Sequence, residues 1–232
     1  MKSLEEKYEL DVLYEDNHLI VVNKRPGDII QEDKSGDIAL CQKVASYIAE
    51  RDSKPGAAFL GVVHRLDRPV SGVVLFAKTS KALIRMNEQF KNGVVKKRYW
   101  AIVSKRPPQE EAMLVHYIRR DGEKNRSYAH SFSRSDAKEA KLIYRLLKSS
   151  DNYHLLEVEL LTGRHHQIRC QLSAIGSPIK GDLKYGAARS NRDGSISLHA
   201  REISFDHPIK KERICVIAPV PIDPLWRFFS DN

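Results

Sequence analysis

Two stretches of the chain carry the residues able to do chemistry. The first, HRLDRPVSG at 64–72, sets the carboxylate of Asp67 between Arg65 and Arg68, with Pro69 behind it and the apolar run LGVV ahead. Held ionised and away from water, such a carboxylate serves as a nucleophile or as the base in a proton transfer. A plainer role is also open: Asp near Pro is a common turn residue, and pairing with Arg65 or Arg68 at the surface would contribute little. The second stretch, LLTGRHHQIRCQLSAIGSPIKGDLKYG at 160–186, gathers His165, His166 and Arg169. Apolar spacing predicts a helix over 165–176, with Ile168, Leu172 and Ile175 on its buried face and Arg169 flanking that stripe. A guanidinium at the edge of a core makes two charge-assisted bonds to a carboxylate and keeps its proton, and Asp67 is a candidate partner.

The adjacent histidines raise a metal site as a competing reading. Neighbours in a helix point about 100° apart, and neither histidine belongs to an HExxH motif, so no metal is expected. Gly176, Gly181, Gly186 and Pro178 break the region into turns. Neither GxxxxGK[ST] nor GxGxxG occurs, which speaks against nucleotide-dependent chemistry.

These residues need a frame to hold them. Short runs rich in Val, Ile and Tyr read as strands: LDVLYED, HLIVVNK, GVVHRL, GVVLFAK, KRYWAIV, KLIYRLL, YHLLEVEL, ISLHAREISF and ICVIAP. Helices are predicted over 38–51 and over 80–92, the latter with Ser80 as its cap, in addition to 165–176. Many strands with irregularly interspersed helices imply an α+β fold: a large mixed, mostly antiparallel sheet with flanking helices. The polar segment 104–136 carries seven Lys or Arg beyond Ser104 and reads as a long hairpin or loop excursion. It would either grip a phosphate backbone or stand as a solvated hairpin. Without repeats or a linker, the chain is expected to form a single domain, 1–232, with its core at about 10–220.

The 232 residues include 39 Lys and Arg against 30 Asp and Glu, a net charge of +9. That excess favours a polyanionic partner, although it would also serve solubility alone. Cys41, Cys170 and Cys215 form no CxxC pair and read as reduced core thiols of a cytoplasmic protein. No run is long and apolar enough to expect a membrane span.

Taken together, HRLDRPVSG, KRYWAIV and TGRHHQIRCQLSAIGSPIKGDLKYG resemble, in order and spacing, the motif blocks of the RluA-type family of RNA pseudouridine synthases. LIVVNKRPGD and LHAREISFDHP resemble its flanking elements. Val70 stands where the family usually has Thr, and no appended N-terminal RNA-binding domain is expected, so the catalytic domain would grip RNA alone. The resemblance implies the pseudouridine synthase fold and cofactor-free isomerisation of uridine in an rRNA or tRNA stem-loop. The chain is further expected to act as a monomer, with no obligate protein partner. The resemblance assigns Asp67 as the catalytic carboxylate, Arg169 as its charge partner and Tyr99 as the aromatic floor under the uracil. Arg65 becomes a wedge or phosphate contact for a flipped base. Lys97, Arg98 and Arg164 become RNA contacts, and Leu198 packs against the base. Two other functions stay open at this point: a catalytically silent RNA-binding protein on the same fold, and a hydrolase that releases the base.

Overall fold

The computed structural model describes residues 3–231. In chain order the elements are α1 (Leu4–Tyr8), β1 (Val12–Glu15), β2 (Leu19–Lys24), α2 (Leu40–Arg51), β3 (Gly61–Val62), β4 (Ser71–Ala77) and α3 (Ser80–Lys91). Then follow β5 (Lys96–Val103), β6 (Glu111–Asp121), β7 (Arg126–His130), β8 (Lys138–Ser149), β9 (His154–Leu160) and α4 (Gln167–Ala174). A 3-10 turn (Leu183–Tyr185), β10 (Leu198–Asp206), β11 (Arg213–Ile217) and α5 (Pro224–Ser230) complete the chain. The architecture is α+β, and every strand-like run of the sequence supplies a strand. By contact density the residues group into two compact units: the chain up to Val95 with Ala200–Pro219, and Lys96–His199 with Val220 onward.

In the first unit β1, β2, β4 and β10 are successive neighbours, with β3 also on β4 and β11 on β10. β2 and β4 pair antiparallel from Leu19 opposite Ala77 to Lys24 opposite Gly72. All seven residues of β4 are buried, as in a strand covered on both faces. Ile20, Val22, Val74 and Phe76 meet Leu40, Val44, Tyr47 and Ile48 of α2 in one core. The spacing of those four α2 residues is that of one helical stripe. α3 is capped by Thr79, not Ser80: Thr79 has the extended backbone a cap requires, and its Oγ1 accepts from the Ala82 N–H at 3.2 Å.

In the second unit the strand order is β5, β9, β8, β6, β7, with every pairing antiparallel. The polar segment 104–136 becomes the β6–β7 hairpin, and β6 pairs along its length with β8, which ties the hairpin into the sheet. α5 lays Trp226 and Phe229 against Ile102 and Leu155. Of the three free cysteines only Cys170 is a core thiol; Cys41 is half-buried and Cys215 is exposed on β11. No helix among the described residues is long and apolar enough to cross a membrane.

Candidate active site

Asp67 lies in the first unit, half-buried, on the irregular segment between β3 and β4. Its carbonyl accepts from the Val70 N–H at 3.0 Å, closing a turn over Arg68 and Pro69. Both flanks of this turn are anchored. Upstream, the His64 ring accepts from the Leu75 N–H of β4 at 2.9 Å and stacks on Phe90, while Leu66 packs onto the α2 core. Downstream, Val70 is buried. Arg68 bonds to Asp37 at 2.6 Å, so the expected alternative of an Arg68 pair with Asp67 gives way to a different partner. Arg65 is exposed and reaches Gln31 at 3.5 Å.

The downstream anchor is a residue the motif reading did not single out. Lys24 ends β2 with 1% of its surface exposed, and its ammonium donates to the carbonyls of Arg25 (2.9 Å), Arg68 (3.0 Å) and Val70 (2.7 Å). Two of these carbonyls belong to the Asp67 turn. Burial pulls the Lys24 pKa down to about 8, against the charges of Asp28 and Asp67, which hold it up. A signal was present in the sequence: in β2, Lys24 follows Ile20 and Val22 on the period-two face that is otherwise core.

Tyr99, Arg169, Lys97, Arg98, Arg164 and Leu198 stand in the second unit. The helix here is shorter than 165–176: His166 sits before it with a left-handed backbone (φ 51°), and α4 starts at Gln167. Instead of diverging, the rings of His165 and His166 stack at 3.7 Å between centroids. The loop 162–167 is tied by Gln167, whose Oε1 accepts from Thr162 Oγ1 and from the Arg164 N–H. Its Nε2 donates to the Lys141 carbonyl. α4 is buried on every side from Gln167 to Leu172, whereas Ile175 is only half-buried. Arg169 therefore lies inside the core and does not flank it, with 5% exposure.

Within this unit the Arg169 guanidinium grips Asp182, with Nε to Oδ2 at 2.7 Å and Nη2 to Oδ1 at 2.9 Å. Asp182, from KGDLKYG, is the second residue the motif reading passed over. Tyr185 lies under the Arg169 guanidinium at 5.0 Å. Its hydroxyl accepts from the Ser127 N–H at 2.8 Å and lies 2.9 Å from His166 Nδ1. Burial, with the Arg169 charge beside it, lowers the His166 pKa to about 2, and burial raises that of Tyr185 to about 12. A neutral imidazole facing a protonated phenol leaves the Tyr185 proton to donate to Nδ1.

Tyr99 is buried on β5 opposite Val158, and Leu198 is buried at the start of β10. Arg98 is exposed opposite Glu159. Lys97 is half-buried, with its pKa lowered by burial, and a Cβ on Gly163 would lie 3.6 Å from its Nζ. Arg164 is exposed, its Nε donating to the Glu139 carbonyl at 2.9 Å. Among the described residues no group of three or more His, Cys, Asp or Glu is placed to hold a metal ion.

Comparison with known proteins agrees with the motif reading. The family model described as RNA pseudouridylate synthase matches residues 18–174. The chain is 32% identical to the Synechocystis RNA pseudouridine synthase slr1629, over 91% of this chain and 66% of that protein's length. It is 31% identical to ribosomal large subunit pseudouridine synthase D of Zymomonas mobilis, over 92% of this chain and 70% of that protein. Identity to tRNA pseudouridine synthase C of Pectobacterium carotovorum is 28%, over 90% and 58%. Among solved structures, human RNA pseudouridylate synthase domain containing 4 superposes with a TM-score of 0.73 at 25% identity, covering 94% of this chain and 90% of that one. With its motif blocks, its α+β sheet and a family match spanning both the Asp67 turn and α4, the chain belongs to the RNA pseudouridylate synthase family.

Proposed function

We propose that this chain isomerises uridine to pseudouridine in a structured RNA, with Asp67 as the reacting carboxylate. The observation that carries the reading is the family match over 18–174, within which HRLDRPVSG supplies Asp67 on a turn anchored at both ends. In the reaction the bond from ribose C1′ to N1 breaks, the uracil turns, and C1′ joins C5, whose hydrogen leaves as a proton. No redox change occurs and no group is added. Asp67 either attacks C1′ or takes a ribose proton; both routes need the ionised carboxylate. Arg169 supplies positive charge in favour of that form, and Tyr99 stacks on the uracil. Arg65 fills the stack that the flipped uridine vacates, Leu198 packs on the base, and Lys97, Arg98 and Arg164 meet the backbone. The Zymomonas and Pectobacterium relatives are named for large-subunit rRNA and for tRNA, which makes both the RNAs to try first. We place the chain in the cytoplasm, in keeping with three unbridged cysteines.

The test is release of tritium from RNA carrying uridine labelled at C5, with RNA mass followed in parallel. The wild type should release tritium at constant RNA mass without added metal or cofactor, and folded Asp67→Asn should release none above background. Loss of a base would mean hydrolysis, and binding without release would mean a silent binder. Release by folded Asp67→Asn would remove Asp67 from the chemistry.

A further inference from the structure

We propose that Arg126, beside the turn that closes the β6–β7 hairpin, is a built phosphodiester-binding residue that docks RNA on this hairpin. The inference rests on the reading of RNA as substrate and adds a contact that the motif blocks do not contain.

Three observations single Arg126 out. Its guanidinium carbon lies 5.3 Å from the ring centroid of Tyr128 and 5.3 Å from that of Tyr185, so two aromatic rings flank the fork. Cation–π contacts of this kind hold an arginine in place while leaving its charge uncancelled. The second observation is the lack of a counter-charge: Arg126 makes no ion pair among the described residues, and its Nε is buried without a hydrogen-bond partner. By contrast, Arg145 pairs with Glu111 and Arg134 with Asp136.

The third observation concerns the carboxylate best placed to quench it. Asp121 stands opposite Arg126 in the strand register, yet its Oδ1 accepts from the Lys124 N–H at 3.0 Å and serves the turn. Ser127, next in sequence, is bound through its main-chain N–H to the Tyr185 hydroxyl and through Oγ to His165, so the backbone beneath Arg126 is pinned. Lys184 adds a second cation by donating to the Asn125 carbonyl at 2.9 Å. An immobilised, half-exposed guanidinium with unused donors suits an anion that accepts from two nitrogens at once, which is the geometry of a phosphodiester.

The experiment compares the wild type with Arg126→Met, which keeps the stem over the rings, and Arg126→Lys, which keeps the charge without the fork. The probe is a fluorescently labelled RNA hairpin with a uridine-rich loop, and anisotropy is read across a series of KCl concentrations. For Arg126→Met, affinity should fall several-fold at low salt and the salt slope should flatten by about 0.7 to 0.9, one phosphate contact. Arg126→Lys should restore the slope but only part of the affinity. Circular dichroism should show both variants folded with a similar melting midpoint; if Arg126→Met weakens binding only by lowering that midpoint below the assay temperature, the proposal fails. It fails equally if Arg126→Met binds with wild-type affinity and slope. Tritium release by the wild type is measured alongside: absence of release together with the Arg126 effect overturns the isomerase reading alone, and release without the Arg126 effect overturns this one alone.

Discussion

Arg169 and Asp182 form a two-point ion pair with side-chain exposures of 6% and 1%. Asp182 also holds the chain around it, because its carbonyl accepts from the N–H groups of Tyr185 and Ala187. The pair therefore couples the buried helix α4 to the KGDLKYG turn, and neither charge has water to fall back on.

Removing one partner should cost far more than removing both. Arg169→Met and Asp182→Leu should each lower stability by about 3 to 5 kcal/mol, since each strands a buried charge, while the double variant should recover most of that loss. Urea titrations of the two single variants and the double variant check this. Equal and additive losses would mean the pair is not coupled. If Arg169 also supplies charge to the reaction, the refolded double variant should stay slower by about two orders of magnitude in tritium release.

Lys24 predicts a pH dependence. Its ammonium serves three carbonyls, and a neutral amine has only two N–H groups to offer. With a native pKa of about 8 against an ordinary 10.5, Lys24 loses its proton in the folded protein first. Between those values the unfolded chain binds more protons, so the contribution of Lys24 to stability rises with pH across that window. Turnover at saturating RNA should therefore decline above about pH 8 while this group leaves the melting temperature undiminished, because the Asp67 turn loses a tether and catalytic geometry is sensitive to small misplacement. Lys24→Met should be slow, by about tenfold or more, and should lack the decline. A wild-type profile that stays level through this range would remove Lys24 as a positioning residue.

What the sequence made legible, and what it hid, follows from the range of the forces involved. β2, β4 and β9 announce themselves because branched apolar residues and flanking turns are local signals, and α2 because Leu40, Val44, Tyr47 and Ile48 repeat at helical spacing. α4 starts later than apolar spacing predicts because His166 is held left-handed beside bonds that Gln167 makes to Thr162 and Lys141 and that Tyr185 makes to His166. No propensity records such contacts. Asp182 resembled any Gly-Asp turn residue, and its burial depends on a guanidinium thirteen positions earlier. Cys215, read as core, faces out because β11 presents that side to solvent.

Gly72 gives a test of how tightly the strand after the Asp67 turn is seated. Its φ is +114°, a conformation L residues rarely adopt, and a Cβ there would fall 2.2 Å from the Ala200 carbonyl oxygen and 2.6 Å from its nitrogen. Both are backbone atoms of β10, so no side chain can step aside. On the other flank Gly72 pairs with Lys24, whose ammonium already fixes Val70. Gly72→Ala must push β4 away from β10 or disturb the Lys24 tether, and should cost about 3 kcal/mol or more. Gly194→Ala is the control: its φ is also positive, at +72°, but a Cβ meets nothing within 4 Å. That variant should lose only the backbone penalty of about 1 to 2 kcal/mol. At a chain of this size each kcal/mol lowers the melting temperature by about 2 to 4 °C, so the two variants should separate clearly in a thermal scan. If Gly72→Ala melts with Gly194→Ala, the close approach of β4 to β10 is not what fixes the strand behind Asp67.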